Sequence, residues 1–376
     1  MSRKQPIIFK QRLLPLDAMR GVVIVLMALD HASHAFNAGR YVTDSAAFYQ
    51  PGAAIPTLQF FIRWITHICA PAFLFLSGWA LCIAITKRRA RGESNHKIDL
   101  YILTRGILLL LLEPFWMSLA FGYGIVFQVL YAIGGSLCCM ILLRRLGTGP
   151  LLGISLGLLI LGEVLAGLAF WAGGVQQAGP LGALTVTGGR VGQSIFVLYP
   201  LLPWLAYMIL GWCVGRWVLD GSITSIARVF LQAGIGSILT FVILRGFNGY
   251  GNMLLYREGW SLIQWLHVSK YPPSLTFSAL ELGLMFLCLA GLWLWFKQKT
   301  LSNPNPLIVF GQTPLFFYIF HVHLLSGTAK IFGIYQKSSL AASLAATFGV
   351  LLVLYPFCFW YRRIRQTQAY RILKYF

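Results

Sequence analysis

Between Asp17 and His34 an apolar stretch of membrane length carries ionisable side chains at helical intervals, and these residue types are the ones that could do chemistry. On a helix the eleven residues from Arg20 to His31 rise about 16 Å and return to nearly the same face. Asp17 lies one turn before Arg20 and His34 one turn after His31. Such a face presents a cation near one membrane surface and two imidazoles toward the other. Polar groups at that depth are costly, normally face a bundle interior or a wet cavity, and mark function by default. His67, Glu113 and His321 sit about ten to fifteen residues into their own apolar segments, which sets them level with His31. A lone histidine in a span is more often a packing residue, but several at one level from separate segments point to a shared polar pocket. Imidazole can take a proton from an amine or hydroxyl, or accept an acyl group itself. Glu113 or Asp30 could orient a ring or stabilise its cationic form. The His31 and His34 spacing also suits a metal, yet no HExxH or Glu-x-x-His pattern accompanies it, and no metal is expected. Arg20 and Arg105 lie near the inner surface. Their plain reading is snorkelling to headgroups; the sharper one is that they, with Asp17, bind an anionic, phosphate-bearing donor. Glu163 and Glu281 read as buried structural acids without an obvious partner.

The elements that must hold these residues follow from composition. The 376 residues are 58% hydrophobic and 11% charged, with a mean hydropathy of +0.72, which excludes a soluble globular protein. The spacing of apolar runs predicts an all-α, polytopic integral membrane protein of ten helices, near 15–36, 58–86, 100–120, 122–143, 150–172, 194–217, 226–246, 275–297, 306–328 and 339–361. A net charge of +20 could suggest nucleic acid. The basic residues instead cluster in short gaps between apolar segments, with no continuous basic face, so nucleic acid is not an expected partner. Twenty Lys and Arg fall in the gaps assigned to the inside and eight in those assigned to the outside. Both termini are therefore expected in the cytoplasm. The seven cysteines sit in apolar segments without metal-like spacing and read as small core residues. No internal repeat or inverted pair of broken helices is visible, and residues 1–376 read as a single integral domain among membrane lipids. The apolar outer faces suit lipid or a second copy in a homo-oligomer alike.

LDAMRGVVIVLMALDH at 16–31, followed by FIRWITHICAPAFLFLSGWAL, resembles the opening of the bacterial DUF1624 family, related to the catalytic domain of heparan-alpha-glucosaminide N-acetyltransferase. The resemblance continues through FVLYPLLPWLAYMILGWCVGR at 196–216, VSKYPPSLTFSALELG at 268–283 and PLIVFGQTPLFFYIFHVHLL at 306–325. The spacing of Arg20 and His31 is similar to the first-helix pair of the wider transmembrane acyltransferase group. This resemblance implies an enzyme of the bacterial inner membrane. It would take an acetyl group from cytosolic acetyl-CoA and deliver it to an amine or hydroxyl of an extracytoplasmic amino sugar or glycan. It links Arg20 and His31 to acyl-CoA use and catalysis, and gives Lys270, Tyr271, Pro272 and Pro273 a family block without a role. The lysosomal relatives carry an amide at the position of His31 and an Asp near His67, and their following lumenal histidine has no clear counterpart here. The base is accordingly read as His31 first and His34 second. The competing readings are a permease that uses the His/Glu layer as a proton relay or substrate site, and an assembly subunit whose polar residues serve helix packing.

Overall fold

A computed structural model describes residues 13–122, 124–174, 178–296 and 305–367. In chain order the helices are α1 (Leu14–Phe36), α2 (Thr57–Ile65), α3 (Cys69–Ala90), α4 (Asn95–Leu112), α5 (Ser118–Phe121), α6 (Val129–Leu143), α7 (Thr148–Ile160) and α8 (Gly162–Ala172). They continue with α9 (Pro180–Gly182), α10 (Leu201–Leu219), α11 (Ile226–Phe247), α12 (Leu262–Leu266), α13 (Leu275–Phe296), α14 (Pro306–Gln312), α15 (Pro314–Ile331) and α16 (Leu340–Gln366). Among the described residues six stretches are long and apolar enough to cross a membrane, and two bent pairs, α7 with α8 and α14 with α15, raise the number to eight. The other two of the ten expected stretches fall short for physical reasons. α6 is only 15 residues long, and the 23 residues of α1 are interrupted by Asp17, Arg20, Asp30 and two histidines. Exposed leucine, isoleucine, valine and phenylalanine side chains cover α11 and α16, as helices facing lipid require. The chain is a multi-pass membrane protein. Part of the predicted inner charge, at Arg3, Lys4, Lys10, Arg12, Lys297, Lys299, Arg371 and Lys374, lies outside the described residues.

The expectation of helix alone needs correction. Three short strands, β1 (Ile125–Phe127), β2 (Gly189–Val191) and β3 (Ile195–Val197), form a sheet in the order β1, β3, β2, with β1 parallel and β2 antiparallel to β3. The helix expected from 194 begins only at Leu201, because Pro200 lacks the N–H that a helix interior needs. The one expected from 122 begins at Val129, after Gly122 and Gly124 turn the chain with φ of 74° and 82°. The stretch 100–120 is also discontinuous, since a π turn at Glu113–Met117 separates α4 from α5 around Pro114.

α1 is the central element, packed against α3, α13, α14, α15 and α16. Its contact with α14 is a backbone contact. A Cβ on Gly21 would lie 2.0 Å from the Leu307 carbonyl oxygen, and one on Gly311 1.7 Å from that of Asp17. At its far end the carbonyls of Ala35 and Phe36, which have no partner within the helix, accept from the N–H groups of Gln336 and Ser338 at 2.9 and 2.7 Å. Both ends of the helix that carries His31 are thereby fixed.

Candidate active site

His31 and His321 meet across α1 and α15. His31 Nδ1 lies 2.7 Å from His321 Nε2, and the rings stack with centroids 4.9 Å apart. The backbone assigns their protons. His321 Nδ1 is 3.0 Å from the Phe317 carbonyl oxygen and 2.9 Å from that of Tyr318, and carbonyls only accept, so Nδ1 carries the hydrogen. Neutral His321 then accepts at Nε2, His31 donates from Nδ1, and His31 Nε2 is left with its lone pair. His321 is fully buried, whereas His31 is half-buried and lines a cavity of about 400 Å³.

His34 lines the same cavity with different chemistry. Arg40 donates from Nη1 to His34 Nδ1 at 2.8 Å, which occupies the lone pair, and Nε2 faces the Tyr335 hydroxyl at 3.1 Å. The two imidazoles are therefore not interchangeable. Arg40 also donates to Asp30 Oδ1 at 2.9 Å, and the same oxygen accepts from Arg63 Nη1 at 2.7 Å. Arg63 continues to Asp44, donating from Nε at 3.0 Å and Nη2 at 2.7 Å to Oδ2. His67 Nε2 reaches that oxygen at 3.0 Å. Burial raises the Asp44 carboxyl pKa, but the Arg63 charge and the His67 hydrogen bond outweigh it and hold it well below the usual carboxylate range. The Tyr271 hydroxyl accepts from Arg63 Nη2 at 3.1 Å and lies 3.4 Å from that of Tyr199. This network braces the C-terminal end of α1 against α2 and the loop between them.

Of the residues singled out from sequence, the structure brings together His31, His34 and His321, and ties His67 to the cavity wall through Asp44. Glu113 is elsewhere. Its carboxylate accepts from the Tyr131 N–H at 2.9 Å, at the start of α6, and so serves as a helix cap and does not orient an imidazole. Glu163 has a partner after all, the Gly251 N–H at 2.6 Å. Arg20, Asp17 and Arg105 do not line the cavity. Arg20 donates to Asp17 at 2.9 Å, and Asp17 accepts from Gln312 Nε2 at 2.9 Å. Arg105 donates to the Tyr101 hydroxyl at 3.2 Å. Sequence reasoning missed Arg40, Asp44 and Arg63 as site residues. The available signal was scarcity: with only ten acids in the chain, an acid such as Asp44 between Arg40 and Arg63 in sequence suits an ion pair.

The sheet closes this end. Val126 of β1, Arg190 of β2 and Ile195 and Phe196 of β3 line the cavity beside Gln193 and Ser194 of the connecting loop. Residues 12–246 match the model of the heparan-alpha-glucosaminide N-acetyltransferase catalytic family. The chain belongs to this family. No curated protein matches it. Membership in the heparan-alpha-glucosaminide N-acetyltransferase family makes it a transmembrane acetyltransferase in general terms and does not favour a permease. The matched region holds His31, His34, the Asp30, Arg40, Asp44, Arg63 and His67 network, and Arg190. The resembling blocks at 268–283 and 306–325, with Tyr271 and His321, lie beyond it.

Proposed function

We propose that the protein moves an acetyl group from cytosolic acetyl-CoA to an amine or hydroxyl of an amino sugar or glycan on the outer side of a bacterial inner membrane. The observation that carries this reading is the carbonyl, His321, His31 relay, which leaves a lone-pair nitrogen on a residue lining the cavity. In the proposed step the acceptor's N–H or O–H gives its proton to His31 Nε2 as its heteroatom attacks the thioester carbonyl carbon. The resulting imidazolium donates from Nδ1 to His321, and Asp30, its chain neighbour, favours the positive charge. The tetrahedral adduct collapses with cleavage of the carbon–sulfur bond, and the leaving thiolate takes the proton from His31. His321 is a positioning residue, because it fixes the tautomer and the ring plane. His34, with its lone pair engaged by Arg40, holds the cavity wall and is not the base.

On this reading α1 and α6 join the eight apolar spans to make ten crossings, with both termini in the cytoplasm and the cavity outside. Arg20 lies about 16 Å along α1 from His31 and, with Arg105, receives the donor's phosphates at the inner end. Asp17 and Gln312 orient Arg20.

Purified protein in detergent tests the proposal. Acetyl-CoA at 100 times its Kd is expected to stabilise the fold by about 2.7 kcal/mol. His31→Ala should keep that stabilisation and lose transfer of labelled acetyl by about 10²- to 10⁴-fold. His321→Asn should keep the fold and lose less activity, with its pH profile displaced from that of the wild type. Full transfer by His31→Ala, or no response to acetyl-CoA, would overturn the reading.

A further inference from the structure

The tetrahedral adduct of the proposed transfer carries a negative oxygen, and the groups already given roles leave it unattended. His31 faces the acceptor's proton. Arg40 donates to His34 and Asp30, and Arg63 to Asp30, Asp44 and Tyr271, so the two cations beside Asp30 are taken up within the wall. Arg190, Gln193 and Ser194 are exposed at the rim, where water weakens what a donor can do. The remaining polar donors of the lining, set deeper, are the hydroxyls of Tyr199 and Tyr271 and the Gln128 amide.

A count of hydrogens separates them. The Tyr271 hydroxyl accepts from Arg63 Nη2 and lies 3.4 Å from the Tyr199 hydroxyl, and among the described residues neither phenol oxygen has a further hydrogen-bond partner. Two hydroxyls bring two hydrogens, and at most one can lie between the two oxygens, at a separation already long for such a bond. At least one is left for a solute in the cavity. Arg63 selects which: its N–H on the Tyr271 oxygen turns that hydroxyl's own hydrogen away and polarises the O–H bond, which makes it the stronger donor. Among the described residues no cation donates to Tyr199 or Gln128. Tyr271 is also held in place. Ser45 Oγ donates to its carbonyl at 2.5 Å, and its ring meets that of Tyr199 edge-on with centroids 5.4 Å apart. The guanidinium that touches its hydroxyl also holds Asp30, the residue before His31, at 2.7 Å. One brace thus serves both the base and the donor.

We infer that Tyr271 is a catalytic residue whose hydroxyl donates to the thioester carbonyl oxygen as that oxygen becomes an oxyanion, with Arg63 as its positioning residue. This rests on the acetyltransferase reading and adds the group that stabilises the negative oxygen. As the acceptor's lone pair forms the bond to the carbonyl carbon, the carbon–oxygen π pair moves onto the oxygen. Tyr271 holds that charge through a hydrogen bond and keeps its own proton. When the pair returns, the carbon–sulfur bond breaks and its electrons leave on sulfur.

The test uses the full chain in detergent with labelled acetyl-CoA, and with glucosamine or water as acceptor, since both reactions pass through the same oxyanion. Tyr271→Phe is expected to lower kcat with either acceptor by about 10²- to 10³-fold, the usual cost of one oxyanion donor. Its KM for acetyl-CoA and its unfolding midpoint should match those of wild type. Tyr199→Phe, which removes one neutral hydrogen bond, should lose only about two- to tenfold. A second protein carries 3-fluorotyrosine at position 271, which keeps the hydroxyl and its contacts while making the phenol more acidic. Because a phenolate cannot donate, its kcat should fall at a lower pH on the alkaline side than that of wild type. Arg63, Lys270, Tyr199 and Tyr318, the charged and titratable groups around this phenol, are the same in both proteins. Where Tyr271→Phe lowers the unfolding midpoint, the fluorotyrosine profile decides by itself. Wild-type kcat in Tyr271→Phe, a loss confined to KM, or a fluorotyrosine profile that coincides with wild type would overturn this inference alone. No transfer to either acceptor by wild type would overturn the acetyltransferase reading and this inference with it.

Discussion

At the scale of single residues the site rests on Asp44, a buried loop carboxylate to which Arg63 and His67 both attach. Its folded pKa is held below the unfolded value, so the stability it contributes is fully present above about pH 4 and is lost as the pH falls through the folded value. His267 acts at the next higher pH. Burial lowers its pKa more than the hydrogen bond to the Thr43 carbonyl raises it, so below about pH 6.5 the unfolded chain takes a proton that the fold resists, and stability declines there too. The Asp44 contribution is isolated by comparing wild type with Asp44→Asn. Removing one partner of a buried charge pair costs about 3–5 kcal/mol, and that is the loss expected at pH 7. In pH-dependent unfolding in detergent the gap between the two proteins should stay constant from pH 7 to 5 and narrow below about pH 4. A constant gap down to pH 2 would show that the carboxylate is not held ionised by its partners.

At the scale of elements the site depends on how α1 is seated. With a Cβ at Gly311 only 1.7 Å from the Asp17 carbonyl oxygen, Gly311→Ala must push α14 away from α1 and pull Gln312 from the Asp17 carboxylate it now reaches at 2.9 Å. A loss of about 1–3 kcal/mol is expected, together with weaker stabilisation by acetyl-CoA. Gly236→Ala on α11, where a Cβ meets nothing within 4 Å, should be neutral or stabilising. Equal behaviour of the two variants in thermal unfolding would refute the close-contact argument. The long helices were legible because their apolar runs are local. The sheet was not: β1 pairs with β3 seventy residues later in the chain, and three residues carry no readable period. The 97° bend between α14 and α15 hid inside one apolar run, although Pro314 marks it. Likewise the depth of His31 and His321 could be read from sequence, but their contact could not, since 290 residues separate them. In sequence Arg40 and Arg63 are two of the eight cations assigned to the outside, because the loop that folds Asp44 back onto Arg63 has no periodic signature.

At the scale of the whole molecule, orientation decides the chemistry, because the cavity opens at one end of α1 and Arg20 lies toward the other. Inverting the protein would exchange the donor and acceptor sides. The basic segment from Lys87 to Lys97 ends α3 and begins α4 at the Arg20 end, and the turn at Gln336 to Ser338 packs on the His31 end through Ala35 and Phe36. Cytoplasmic loops gather Lys and Arg, so the proposed orientation puts the first segment inside and the second outside. Arg91 and Lys337 are exposed and serve as reporters. The seven native cysteines lie within apolar segments, where a membrane-impermeant thiol reagent does not reach them. In intact bacterial cells Lys337→Cys should be labelled by such a reagent, and Arg91→Cys only after the membrane is opened. The reverse pattern would put His31 and the β2–β3 hairpin on the cytosolic side, and an outward acetyl transfer could not then proceed by the route argued above.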